Sequence, residues 1–143
     1  MSIDMAKRPP DCLFRMSTDR FTQPFWDAAA GHRLTACKCG QCGHYRMPPT
    51  PFCPQCHSQR VVWEPLSGRG AVFSYTVVTH AILPEMQSHL PYVPAVISLE
   101  GADRIRLISN VVDVPVASVV VGMQVAVVWD AVNGVIVPRF TST

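Results

Sequence analysis

Four of the six cysteines fall into two Cys-x-x-Cys pairs, Cys39-Gly40-Gln41-Cys42 and Cys53-Pro54-Gln55-Cys56, with ten residues between them. Two such pairs at this separation supply four thiolates on two tight turns, the donor set a tetrahedral zinc site requires. Gly40, Gly43 and Pro54 sit where each knuckle must turn its backbone amides toward the sulfurs. Four sulfur ligands leave no open coordination position for water or substrate. The expected role of one Zn²⁺ held by Cys39, Cys42, Cys53 and Cys56 is therefore structural, without Lewis-acid chemistry. A redox dithiol would place a single Cys-x-x-Cys at the start of a helix in a βαβ unit, whereas both pairs here lie in a Pro-rich, turn-rich segment. Cys37, two residues before Cys39, is a competing ligand, but only Cys39 gives both pairs the same spacing. His44 and His57 stand beside ligand positions and are read as neighbours of a shell that is already complete.

The elements that position these sulfurs divide the chain into three expected segments: an arm and docking helix over residues 1–36, a rubredoxin-like zinc ribbon over 37–66, and a β-barrel over 67–143. Residues 1 to about 20 are polar and irregular and read as a mobile arm, with Cys12 an incidental thiol. Residues 22–31 spell a short helix, with Thr22 as cap, Pro24 in the first turn, three alanines, and Gly31 as a stop. Its aromatic pair, Phe25 and Trp26, either packs on the ribbon or anchors another subunit. In the ribbon, 45–47 and 61–63 are the expected strands on either side of a proline turn. Trp63 is expected against the knuckles.

From residue 67 the composition changes to β-branched runs punctuated by turns. Strands are expected over 72–79, 94–99, 105–114, 123–131 and 135–140. In the first, Phe73, Tyr75 and Val77 would share one face and Ser74, Thr76 and Val78 the other. Asn133-Gly134 is a hairpin signal. The fold class is mainly β, an N-terminal helix and zinc ribbon followed by a five-stranded OB-type barrel. The connection 115–122 is too short and valine-rich for the helix that many such barrels carry there. The loop 80–93, with Leu83, Met86 and Leu90, is a candidate wall for a ligand or partner tunnel.

Composition bounds the function. Charged residues are only 15% of the chain and hydrophobic ones 48%, against roughly 25% charged in a typical soluble domain. So under-charged a surface is expected to be covered in part by a partner. The net charge is +2, and a tetrathiolate zinc centre contributes about −2, which argues against a polybasic nucleic-acid binder. Residues 1–20 hold no apolar core long enough for a signal peptide and no run of about 18 apolar residues occurs, so a reducing cytoplasm is the expected location. The glutamates Glu64, Glu85 and Glu100 are scattered, and no histidine stands in a nucleophile context, so no catalytic constellation is visible.

The order of features resembles the zinc-ribbon/OB-fold proteins catalogued as domain of unknown function 35. The matching residues are the Phe25-Trp26 helix, Gly31 to Leu34, Cys39-x-x-Cys42-Gly43, Pro48-Pro49, Cys53-Pro54-x-Cys56, Gly68-Arg69-Gly70, Pro91-Tyr92, Glu100-Gly101, Gly122-Met123-x-Val125 and Pro138-x-Phe140. The resemblance covers roughly residues 21–141. It departs at Cys37 and in the thin connection after Val114. It implies a non-catalytic accessory subunit that forms a hetero-oligomer with a thiolase-superfamily enzyme, either a thiolase or a retro-aldolase, or with a MaoC-type enoyl-CoA hydratase. The barrel would help shape an acyl-CoA channel. Arg69, Arg104 and Arg106 are candidates for contacts to CoA phosphates or to acidic residues of the partner. A competing class is an OB-fold nucleic-acid module, but the second half of the chain lacks the basic groove it needs.

Overall fold

The computed structural model describes residues 3–13 and 15–143. Among the described residues one α-helix, α1 (Gln23–Ala30), precedes a two-stranded antiparallel ribbon of β1 (Thr35–Cys39) and β2 (Val61–Pro65). Five further strands follow: β3 (Arg69–Tyr75), β4 (Val93–Leu99), β5 (Arg106–Val111), β6 (Gln124–Val132) and β7 (Val135–Ser142). They close a barrel in the order β3-β4-β5-β7-β6, the one-parallel-pair topology of an OB fold.

Local sequence explains most of these elements. Phe25 and Ala29, one turn apart, are the buried residues of α1, which sets its inward face. Pro24 lies in its first turn and Gly31 closes it. Thr22 holds the cap position but makes no side-chain capping bond. The Asp19 carboxylate accepts the amides of Phe21 and Thr22 instead, each at 2.9 Å. β4 alternates without a fault, burying Val93, Ala95, Ile97 and Leu99. Asn133 and Gly134 both have positive φ, 49° and 83°, the primed turn their identities favour. The link between β5 and β6 carries only a three-residue 3-10 turn, Val116–Ser118, as its length demands.

The first barrel strand needs its glycines. At Gly70, where β3 pairs with β4, an added β-carbon would meet the Ser98 carbonyl oxygen and lie 2.8 Å from Ile97 Cγ2. At Gly68, φ is +87° and Val127 approaches within 2.7 Å of the same imagined atom. The register of β3 with β4 then slips between Val72 and Ser74. The expected alternation fails past this bulge: Val72 is buried, whereas Phe73, Ser74 and Tyr75 are all exposed.

Two other expectations are corrected. The arm is not free over its described start. Ala6 is buried, its amide donates to the Val114 carbonyl, its carbonyl accepts the Asp113 amide, and the Lys7 amide donates to Pro91, so residues 4–8 lie along the barrel as an added edge. Arg8 fastens this edge with two bonds to Asp113, at 2.8 and 3.1 Å. In the ribbon, 45–47 is not a strand. Only Tyr45 makes a bridge, to Lys38, and the ladder runs between β1 and β2, with Cys37 opposite Trp63. Pro48 and Pro49 lack the amide that would extend pairing past Met47. One core cluster spans both modules, with Phe25, Leu34 and Ala36 joining Val72, Ile97, Val111, Val125 and Phe140.

Candidate metal centre and adjoining clefts

The end of β1 and the two turns that follow converge on one point. Ligand atoms of Cys39, Cys42, Cys53 and Cys56 all lie within 4.8 Å of one another. The Cys39 and Cys56 sulfurs are 3.6 Å apart, as are those of Cys42 and Cys53. A regular tetrahedron with Zn–S of about 2.3 Å has sulfurs about 3.8 Å apart, close to these two separations, so the four are gathered as one zinc requires. Each knuckle is closed by its own backbone: Gly43 N–H donates to the Cys39 carbonyl at 3.1 Å and His57 N–H to the Cys53 carbonyl at 2.9 Å.

Two of the four sulfurs, Cys39 and Cys53, are drawn toward the thiolate form, whereas Cys42, despite the His44 amide, is pushed up to about 12 by burial and by its bonds to the neighbouring cysteines. The amides of Cys42 and Gln41 point at the Cys39 sulfur, at 3.5 and 3.4 Å, and hold its thiol down to about 6. Burial opposes ionisation of Cys53, but the amides of Cys56 and Gln55 outweigh it and the thiol falls below its ordinary value. Cys37 behaves differently. It is fully buried, it lies outside the four-sulfur cluster, and burial pushes its thiol up. It is thus a core side chain of β1. The imidazoles of His44 and His57 also lie outside the cluster. His44 contributes its carbonyl to the Cys39 amide at 2.8 Å, and His57 sits at the positive φ of 63° where its knuckle turns.

The remaining site residues predicted from sequence are spread over two surfaces. Arg104 and Arg106 share a cleft of about 500 Å³ with Tyr45 and Asp103, between the ribbon and the turn that joins β4 to β5. Arg104 sits at that turn with φ of 61°. Arg106 lies on the outer face of β5, its guanidinium 3.7 Å from the centroid of the exposed Phe73 ring. Arg69 is exposed at the start of β3, paired with Ala126, and is not among the residues lining that cleft. The arginine trio is therefore a pair plus an outlier.

Phe25 is not available as a free docking anchor. It is 5% exposed, packed edge-on to Trp26 at 5.0 Å and inside the chain's own core. Trp26 is half-buried and lines an apolar groove of about 340 Å³ with Met47, Pro48, Trp63, Leu107 and Ile108. Trp63 thus faces this groove as well as the ribbon. Beside the groove, Ile108 is 80% exposed in the middle of a strand, an isolated aliphatic position that sequence alternation alone did not single out. Arg46 also escaped the sequence reading. It is buried in the loop between the knuckles, and its only signal was a position between two ligand pairs.

Comparison with known proteins matches both modules. Residues 26–62 match the family model described as the ChsH2 rubredoxin-like zinc ribbon domain, and residues 63–130 the one described as the ChsH2 C-terminal OB-fold domain. The chain is 36% identical over 97 residues to a DUF35 domain-containing scaffold protein of Methanocaldococcus jannaschii, covering 67% of each. It is 37% identical over 109 residues to a probable enoyl-CoA hydratase alpha subunit of Thermomonospora curvata, covering 73% of this chain but 32% of that protein. Among solved structures, a chain described as Ltp2-ChsH2(DUF35) aldolase superposes with a TM-score of 0.80 at 30% identity, covering 90% of this chain and 98% of that one. No described helix is long and apolar enough to cross a membrane.

Proposed function

Because the chain belongs to the DUF35 family of zinc-ribbon/OB-fold scaffold proteins, we propose that it is a non-catalytic accessory subunit of a cytoplasmic acyl-CoA-processing complex, partnered by a thiolase-superfamily retro-aldolase or thiolase. The observation that carries this reading is the match, over nearly its whole length, to a DUF35 chain described with an aldolase. In this reading Cys39, Cys42, Cys53 and Cys56 hold one zinc that fixes the ribbon and takes no part in chemistry. The groove lined by Trp26, Trp63 and Ile108 supports docking of the partner, since aromatic anchors around an apolar pocket are what such interfaces use. Arg104 and Arg106, in one cleft, are the side chains assigned to CoA phosphates or acidic partner residues; Arg69, outside it, is assigned a lesser part.

A second reading, partnership with an enoyl-CoA hydratase, is favoured by the likeness to a hydratase alpha subunit. The chain spans only about a third of that protein, so the hydratase activity stays with the longer relative.

Mild affinity purification from the native cells, with mass spectrometry of whatever co-elutes in stoichiometric amount, separates these readings. A thiolase-fold partner supports the first and a hydratase the second. Recovery of the chain alone, or with nucleic acid, overturns both.

A further inference from the structure

Arg46 is 5% exposed, although arginine is almost never fully buried without a partner. Its place is fixed on three sides. The backbone N–H donates to the Cys37 carbonyl at 2.9 Å, and Nε and Nη2 both donate to the Thr50 carbonyl, at 3.2 and 3.0 Å. The residue therefore ties β1, which ends at the first ligand, through its backbone to the loop that leads to the second pair, and its side chain fastens that loop at Thr50. Nη1 is buried and has no hydrogen-bond partner, and no carboxylate lies within ion-pair distance of the guanidinium among the described residues. Guanidinium cannot shed its proton, and a buried charge without compensation costs several kcal/mol. Something else has to offset it.

The ribbon contains one candidate. A zinc held by four thiolates carries a net charge of about −2, and the loop that holds Arg46 runs antiparallel beside β1 from His44, whose carbonyl receives the Cys39 amide. We infer that Arg46 is the built-in counter-charge of the metal centre, a positioning residue whose fixed positive charge stabilises the loaded form and whose bonds to Thr50 hold the two knuckles at ligand-ready separation. The inference rests on the four-cysteine zinc reading. It adds that an unpaired cation and an over-charged anion sit in one small module because each compensates the other.

The test uses the full chain, its Arg46→Met variant, which keeps an apolar stem without charge, and Arg46→Lys, which keeps charge without the fork. Zinc content is measured first. Wild-type protein without zinc refutes the four-cysteine reading itself, whereas the comparison of variants addresses Arg46 alone. Zinc affinity is then read by competition with a chromogenic chelator at fixed neutral pH. The expected result is a loss of roughly tenfold or more for the methionine variant, the scale typical of residues that support a metal shell, with the lysine variant within about threefold of wild type. Equal affinity of all three proteins, or equal loss in both variants, overturns the counter-charge. If the methionine variant does not fold, the lysine comparison decides: near-equality with wild type supports the inference, and a loss of roughly tenfold or more refutes it.

Discussion

Replacing Cys53 and Cys56 with serine is expected to melt the ribbon and spare the barrel. The magnitude follows from what each module buries. Apart from the cysteines, the ribbon has a single large aliphatic in the core, Leu34 at 3% exposure, and full burial of such a side chain is worth about 1.5–3 kcal/mol. A structural zinc contributes an apparent 10–16 kcal/mol or so in comparable small modules. Metal binding therefore dominates, and a ribbon without it has too little apolar burial to offset the entropy of ordering its loops. The barrel stands differently, because Val72, Val93, Ile97, Val111, Val125 and Phe140 are all buried within it. Metal analysis should find no zinc in the double variant. Hydrogen exchange followed by mass spectrometry should show lost protection at Cys39, Gly40 and Cys53, whose amides bond His44, Arg60 and Ser58, while the amides of β4 and β6 stay protected. One zinc per chain in the double variant refutes the ligand assignment. Uniform loss of protection refutes the independence of the barrel.

Gly70→Ala should lower thermal stability, because the new methyl meets the Ser98 backbone and not a flexible tip; a cost of roughly 1–3 kcal/mol corresponds to a Tm fall of roughly 3–10 °C. Gly31→Ala, whose nearest neighbour is the end of the Arg33 side chain, should move Tm by less than about 2 °C, and equal shifts in the two variants would sink the argument. The Asp19 carboxyl is held below its ordinary value chiefly by the Thr22 amide, with the Phe21 amide adding to it. A depressed folded pKa means stabilisation that is complete above the unfolded value near 3.8 and is lost as pH falls through the lower folded one. Fraying of the start of α1, followed by NMR of the Phe21 and Thr22 amides, should therefore begin only at strongly acid pH, and Asp19→Asn should show it at neutral pH.

The chemistry-bearing part of this chain was readable because it is local. Two Cys-x-x-Cys turns declare a four-sulfur site by spacing alone, and the Asn133-Gly134 turn declares the β6-β7 hairpin in the same way. What stayed hidden depends on non-local geometry. The bulge after Val72 leaves Phe73, Ser74 and Tyr75 all exposed in place of an alternating pair of faces, and a period-two reading has no means to register one inserted residue. The docking of residues 4–8 uses backbone amides and carbonyls, which every sequence offers equally. Phe25 and Trp26 are adjacent and alike in type, yet the step of about 100° between neighbours on a helix buries the first in the core and leaves the second half-buried along the groove. The separation of Arg69 from Arg104 and Arg106 likewise follows from strand placement and not from composition.

The closing seam of the barrel has a consequence for how the ring is made. β5 and β7 share a single registered pair, Val111 with Phe140. The rest of the joint is carried by the Ser109 hydroxyl on the Pro138 carbonyl at 2.7 Å and by the Arg139 guanidinium on Asn110 at 2.8 Å. The β3-β4-β5 meander and the β6-β7 hairpin are by contrast zipped along their lengths by near neighbours in sequence. Assembly should thus proceed as two locally nucleated sheets that meet late, because loop closure taxes the distant contact most. Of the two joints between these sheets, β5 with β7 has one registered pair and β3 with β6 has three, so the former is the less redundant in backbone pairing. Breathing of the mature ring should begin there, at a clasp of three side chains, Ser109, Asn110 and Arg139, whose substitution tunes its tightness with the strand backbones left in place.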